Sequence, residues 1–398
     1  MRSPHSYLWF LFLLGVGSLP VLLHLENLND TVRHLSPGSS DRPSSRHLSD
    51  QNGSVLAHLH PPDLIKQLSV EEEESDSQRP AHMASGHQSL MAGNLEPPVT
   101  SLLNSTPAAD STPTGWEEVL QQQIKIQDLR HHHLAKVCSE LVLDPWSQNV
   151  SKGHTSMILV EERSRLLYCE VPKAGCSNWK RVLMVLGGKA TSVLNISHKR
   201  AHFNNTLHKL KDYSLTGVRE RLNSFIKVLF VREPFQRLVS AYRDKFENQN
   251  EYYHTLFGRA IINKYRKKPA AKAVLTGDGV TFREFVHYLL DPSRPVGRDI
   301  HWEPISSLCH PCVVHYDFIG RFENMNSEAN ILLRSMGAPP TVRYPDYKDR
   351  NPQDERTSAT IVRKYFSQLN ATEIQAVYDF YRMDYLMFDY PKPFPDLV

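Results

Sequence analysis

The sequence predicts an α/β fold, a parallel sheet flanked by helices, preceded by a membrane anchor and a flexible stem. Three observations carry that prediction. Apolar strand-like runs alternate with helical periodicity in three successive units, which implies right-handed crossovers and a sheet covered on both faces. The composition shifts near Ala135, from Ser, Pro, His and Glu to regularly recurring apolar and aromatic residues. Tyr7–Leu25, YLWFLFLLGVGSLPVLLHL, is the one long stretch free of Asp, Glu, Lys and Arg, close to the ~20 residues that cross a bilayer.

Taken from the N-terminus, residues 1–6 read as a cytoplasmic tail and 7–25 as a transmembrane signal-anchor. Arg2 precedes the segment and Glu26 and Asp30 follow it, so the chain beyond it is expected in the lumen. No small-x-small cleavage site follows, which favours an uncleaved anchor over a cleaved signal peptide. Asn29, Asn52, Asn104, Asn149, Asn195, Asn204 and Asn370 each open an Asn-x-Ser/Thr sequon, and behind an anchor they predict a glycoprotein of the secretory pathway. Residues 26–134, with the acidic run SVEEEESDSQRP, read as a flexible lumenal stem that cannot bury enough apolar surface to offset chain entropy. A short helical patch from Trp116 to Leu129 closes it, and His131-His132-His133 reads as an exposed tract rather than a metal site. The net charge of +3 argues against nucleic acid as a partner.

The folded domain is expected over 135–398. Leu166–Val171 is a strand, Pro172–Asn178 a turn, and Trp179, Val182, Leu183 and Leu186 one face of a helix ended by Gly187-Gly188. FIKVLFV (225–231) reads as a buried parallel strand; Pro234 then opens a helix with Phe235, Leu238, Val239 and Tyr242 on one face. Tyr316–Glu323 leads to a third helix over Asn330–Met336. Thr281…Glu284 and Thr372…Gln375 carry capping-box spacing before two further helices. Five cysteines leave at least one thiol unpaired within a monomer. Cys309-His-Pro-Cys312 lacks a second such pair, so a structural disulfide or local turn is expected there and no metal.

Ligands in such folds bind at the carboxyl ends of strands, where two turns stand out. In VPKAGCSNWKR (171–181), Gly175 lets backbone approach an anion, the amides of Gly175, Cys176, Ser177 and Asn178 lie at a helix N-terminus, Ser177 adds a hydroxyl, and Lys173 an ammonium. The loop has no Gly-Lys-Ser/Thr ending, which argues against a kinase or nucleotide phosphatase. In the second turn, Arg232 leaves the buried strand with a fork suited to phosphate, and Ser240 lies two helical turns on.

Together, VPKAGCSNWKR and LFVREPFQRLVSAYRDKF resemble the two nucleotide-binding signatures of Golgi carbohydrate sulfotransferases, in the branch of the N-acetylgalactosamine 4-O-sulfotransferases (the human natural killer epitope sulfotransferase-like family). The resemblance runs from about Cys138 to the C-terminus and takes in HW (301–302), LCHPC (308–312), YDFIGRFE (316–323) and DYLMFDY (384–390). It implies a P-loop-like sulfotransferase fold and 3′-phosphoadenylyl sulfate as co-substrate, without a metal. Pro172, Lys173, Ala174, Gly175, Cys176, Ser177 and Asn178 would hold the 5′-phosphosulfate. Arg232, Glu233, Pro234, Phe235, Gln236, Arg237, Leu238, Val239 and Ser240 would hold the 3′-phosphate, with Arg232 and Ser240 in direct contact. The implied protein is a single-pass Golgi membrane enzyme that sulfates the 4-hydroxyl of N-acetylgalactosamine, at terminal residues of N- or O-linked glycans or internally in chondroitin and dermatan, the latter a step of proteoglycan biosynthesis. A membrane-tethered carbohydrate-binding protein without catalysis is the competing reading.

Sulfuryl transfer needs a group to stabilise the leaving phosphate, here Lys173, and a base for the acceptor hydroxyl. His202, between the two signatures in AHFNNTLHKL, is the first candidate base by its position in related enzymes; His301 is the second, and Glu170 and Glu323 follow. The sequence sets no oligomeric state.

Overall fold

The structure is a computed structural model and describes residues 115–141, 150–346 and 355–397. The predicted tail, anchor, most of the stem and the sequons at Asn29, Asn52, Asn104 and Asn149 lie outside the described residues. Among the described residues no helix is long and apolar enough to cross a membrane. Asn195, Asn204 and Asn370 are all exposed.

Five strands form one sheet in the order β3-β1-β2-β4-β5: β1 (Ile158–Glu161), β2 (Leu166–Cys169), β3 (His208–Lys209), β4 (Ile226–Val231) and β5 (Phe318–Arg321). β2, β4 and β5 are parallel, as expected of strands joined by helical crossovers. The expectation of a wholly parallel sheet is corrected at one edge, where β1 runs antiparallel to both β2 and β3. Only residues 162–165 join β1 to β2, too few for a crossover, and Arg165 turns the chain with a φ of 51°.

Seven helices position the site: α1 (Gly115–Leu141), α2 (Cys176–Leu186), α3 (His198–Phe203), α4 (Pro234–Tyr242), α5 (Phe282–Leu290), α6 (Met325–Ser335) and α7 (Ala371–Met387). The apolar faces read from spacing are the buried ones. Trp179, Val182, Leu183 and Leu186 of α2 pack with Tyr168, Val228 and Phe230 on one side of the sheet. Phe235, Leu238, Val239 and Tyr242 of α4 join an aromatic core with Trp302, Phe285 and Phe366. Thr281 and Glu284 cap α5 reciprocally, as predicted. The box at the start of α7 is Asn370 with Glu373, two residues before the predicted Thr372…Gln375; Asn is at least as good an N-cap as Thr, and this frame puts a glutamate at N3. The third helix begins at Met325, five residues ahead of Asn330.

The predicted short patch after Trp116 is part of a 27-residue helix, Gly115–Leu141, so the folded part takes in residues well ahead of Ala135. Gln127 Nε2 donates to Ile319 O at 3.2 Å and Gln127 Oε1 accepts from Ile319 N at 2.9 Å. The side-chain amide thus pairs the bare edge of β5 as another strand would. Arg130 reaches Glu328 of α6 at 2.7 Å. His131–His133 lie within this helix, and His133 Nε2 sits 2.7 Å from Leu386 O, so the tract is not exposed linker. The two cysteines of Cys309-His-Pro-Cys312 do not close on each other: Cys312 pairs with Cys138 of α1 and Cys309 with Cys169 at the end of β2. Cys176 is the free, buried thiol.

Candidate active site

The two punctuated turns lie side by side at the carboxyl ends of β2 and β4. Lys173 holds a left-handed φ of 67°, a strained conformation for a residue with a side chain. Its carbonyl accepts from Arg232 Nη1 at 2.9 Å. Gly175 follows at φ 84°, and a Cβ there would lie 2.5 Å from the Tyr344 hydroxyl and 2.8 Å from Met325 Cε. Only glycine fits both the backbone and the space. The amides of Gly175, Cys176 and Ser177 are left without a backbone partner among the described residues, whereas that of Asn178 bonds Gly175 O at 3.2 Å. The amides left free of a backbone partner at the start of α2 are therefore three, one fewer than expected.

Lys173, Gly175 and Asn178 share a cleft of about 880 Å³ with Arg232, Gln236 and Ser240. Gln236 and Ser240 stand four residues apart on one face of α4, and Arg232 lies just ahead of its N-cap. The rest of the second turn does other work. Glu233 caps α4 by accepting from Phe235 N and Gln236 N. Phe235, Leu238 and Val239 are in the core, as is Ala174 of the first turn. Arg237 is buried and donates to three carbonyls: Pro172 at 2.9 Å, Glu303 at 2.6 Å and Ile300 at 3.0 Å. It ties the first turn to the segment around His301 and does not face the cleft.

Arg232 is buried against the Phe322 ring, 4.3 Å from its centroid, and its Nε has no hydrogen-bond partner among the described residues. Burial pushes its pKa down to about 10, with Glu323 and Glu233 opposing. A buried, charged fork with an unpaired donor beside an open cleft suits a ligand with anionic oxygens. The residues present suit a nucleotide bearing a phosphate at each end, since Arg232 with Ser240 and Lys173 with Gly175 put two groups of donors on one cleft.

Past Lys173 the polar groups continue along the cleft, whose lining includes Asp244. Lys173 Nζ pairs with Asp244 at 3.1 Å, and Lys245 reaches the same carboxylate at 3.0 Å. Burial lowers the Lys173 pKa, opposed by Asp244; against the effect of burial, the two lysines hold Asp244 at about 2. Asp244 and Lys245 sit in a π-helical turn, Arg243–Glu247, that continues α4, a feature common at functional sites. Lys245 also lies 4.6 Å from the centre of the Tyr253 ring. His202, on α3, lies with Nε2 2.7 Å from Ser177 Oγ. Burial, then the charge of Lys180, pushes its imidazole down to about 3. His301 Nδ1 is 2.5 Å from Asp299 Oδ1 and 3.0 Å from the Tyr253 hydroxyl. Glu170 is engaged by buried Lys180, and Glu323 accepts from Glu233 N and Tyr390 Oη.

Sequence reasoning singled out Lys173, Arg232, Ser240, His202 and His301, and missed Asp244, Lys245, Asp299 and the tethering role of Arg237. The resemblance took in Gln236 and Ser240 as part of the segment Arg232–Ser240, but nothing local announces a π turn.

A model of the Sulfotransferase family matches residues 156–391. Human carbohydrate sulfotransferase 9 is 55% identical over 242 residues, covering 61% of this chain and 55% of that protein. Human carbohydrate sulfotransferase 8 is 51% identical over 271 residues, 68% and 64% respectively; human carbohydrate sulfotransferase 14 is 39% identical over 275, 67% and 70%. The chain thus spans just over half to just under two thirds of the first of these relatives. No solved structure matches it.

Proposed function

The chain belongs to the sulfotransferase family, and from that premise we propose that it moves a sulfuryl group from 3′-phosphoadenylyl sulfate to the 4-hydroxyl of N-acetylgalactosamine, at terminal residues of glycoprotein glycans. Arg232 and Ser240 bind the 3′-phosphate; Lys173, Ser177 and the amides of Gly175 and Cys176 bind the phosphosulfate. The donor supplies an activated sulfuryl group with a phosphate leaving group. Lys173 meets the charge that develops on that phosphate, in a partly desolvated site where such an interaction is strong. The protein is anchored in the Golgi membrane by residues 7–25, with residues 26–114 as stem and the catalytic domain in the lumen.

One observation carries this reading: Lys173 and Arg232, from two adjacent strand ends, share one cleft and one hydrogen bond. The relatives named as carbohydrate sulfotransferases support a glycan as acceptor. The test is to incubate the protein with labelled donor and a panel of glycans, then map the sulfated carbon. The 4-position of a terminal N-acetylgalactosamine is expected. Label only in internal residues of chondroitin or dermatan would move the acceptor, and no label on any glycan would leave a carbohydrate-binding protein.

A further inference from the structure

We infer that His301, oriented by Asp299, rather than His202, is the general base that takes the proton from the acceptor hydroxyl. The inference rests on the sulfotransferase reading and names the proton acceptor of that same site.

Position comes first. The segment bearing His301 is fixed from three sides by buried side chains. Arg237 bonds the carbonyls of Ile300 and Glu303, and with the same guanidinium the carbonyl of Pro172, next to Lys173. Tyr381 Oη donates to Trp302 O at 2.6 Å. Asp384 accepts from the amides of Ile305 at 2.6 Å and Ser306 at 2.8 Å. One rigid group thus spaces His301 from the phosphosulfate loop, and catalytic geometry depends on such support.

Tautomer comes second. Asp299 is held below the usual carboxylate range, against its burial, by hydrogen bonds from His301. An ionised carboxylate only accepts, so the imidazole proton lies on Nδ1, and Tyr253 Oη donates to Asp299 at 3.3 Å. Nε2 then carries the lone pair, and it has no hydrogen-bond partner among the described residues. The side chain keeps about a fifth of its surface open. The charged or titratable groups facing it are Asp299 on its own segment, Tyr253, Lys245 and Lys173. Burial lowers its pKa and the two lysines add to this, so the ring is neutral at neutral pH, as a base must be.

His202 is differently placed. Its Nε2 is taken by Ser177, and an imidazole pushed to about 3 is a poor proton acceptor. With Nε2–H donating to Ser177 Oγ, the Ser177 hydroxyl is left to donate to the donor's anion. That makes His202 a positioning residue for the phosphosulfate loop.

In the step itself, His301 Nε2 takes the hydroxyl proton as the hydroxyl oxygen forms a bond to sulfur. The bond from sulfur to the bridging phosphate oxygen breaks, and its electron pair leaves on the phosphate beside Lys173. The imidazolium returns its proton to water.

The experiment pairs calorimetry on adenosine 3′,5′-bisphosphate with transfer kinetics across pH. His301→Ala is expected to bind the nucleotide within about twofold of wild type and to lose ~10²- to 10⁴-fold in kcat, the range of general-base catalysis, with partial rescue by added imidazole. Asp299→Asn is expected to move the acid limb of the kcat/KM profile to lower pH, because the carboxylate raises the His301 pKa. His202→Gln is expected to weaken nucleotide binding and show no imidazole rescue. Near-normal kcat in His301→Ala, or an unmoved acid limb in Asp299→Asn, overturns the assignment to His301 while the donor reading stands. Wild-type protein that binds no nucleotide overturns the donor reading and the base with it.

Discussion

Arg232 combines burial, a ring against its face and an unpaired Nε. Such a group is costly to keep without a ligand and strong with one. Arg232→Ala is expected to weaken adenosine 3′,5′-bisphosphate binding about ten- to a hundredfold, from the ~1.5–3 kcal/mol of a hydrogen bond to a charged group. Calorimetry reads this directly, and unchanged affinity would place the 3′-phosphate elsewhere. His202 makes a second residue-scale prediction. Its folded pKa is about 3 against 6.5 for a free histidine, so the unfolded chain binds a proton that the folded chain refuses. Its contribution is present above pH 6.5 and is lost as pH falls from there toward 3. His198 and His301 are shifted in the same sense. Melting temperatures between pH 7 and 4 should fall less steeply for His202→Gln than for wild type; parallel slopes would contradict the half-buried, neutral ring.

At the scale of elements, the sheet's parallel centre is held at its strand ends by covalent and ionic staples. The Cys169–Cys309 bridge fixes the end of β2, three residues before Pro172, to the helix that follows Trp302. The donor loop and the His301 segment are therefore joined twice, by this bridge and by Arg237. Cys138–Cys312 does the same for α1. Cys138→Ser is expected to lower stability by about 2–4 kcal/mol, the usual effect of removing a bridge that closes a long loop. Denaturant unfolding of the variant checks this. A wild-type midpoint would mean that the bridge adds nothing to the hold on α1.

At the scale of the whole molecule, the folded unit reaches back to Gly115. Arg130 neutralises Glu328, whose side chain is 4% exposed, and Gln127 pairs the open edge of β5. Cutting the chain at Ala135 would leave a buried carboxylate without its partner, which costs about 3–5 kcal/mol, and an unpaired strand edge prone to association. A chain starting at Gly115 is expected to melt cooperatively and bind the nucleotide, while one starting at Ala135 aggregates or melts far lower. Equal melting of the two would restore Ala135 as the boundary.

Two central strands, the faces of α2 and α4, and the two turns with Lys173, Arg232 and Ser240 were legible in the sequence. Each is written by local rules: apolar spacing, a proline at a helix start, a glycine where φ must be positive. The true length of α1, the partners of Cys309 and Cys312, and the tether from Arg237 to both the first turn and the His301 segment were not. These depend on contacts between residues far apart in the chain, such as Cys169 with Cys309 and Arg237 with Pro172 and Ile300. Which groups carry charge and which helix faces are buried can be read without the fold, because both follow from side-chain chemistry at fixed spacing. Which histidine keeps an unpaired ring nitrogen is settled only on folding, because Ser177 then meets Nε2 of His202 while Asp299 and Tyr253 meet Nδ1 of His301.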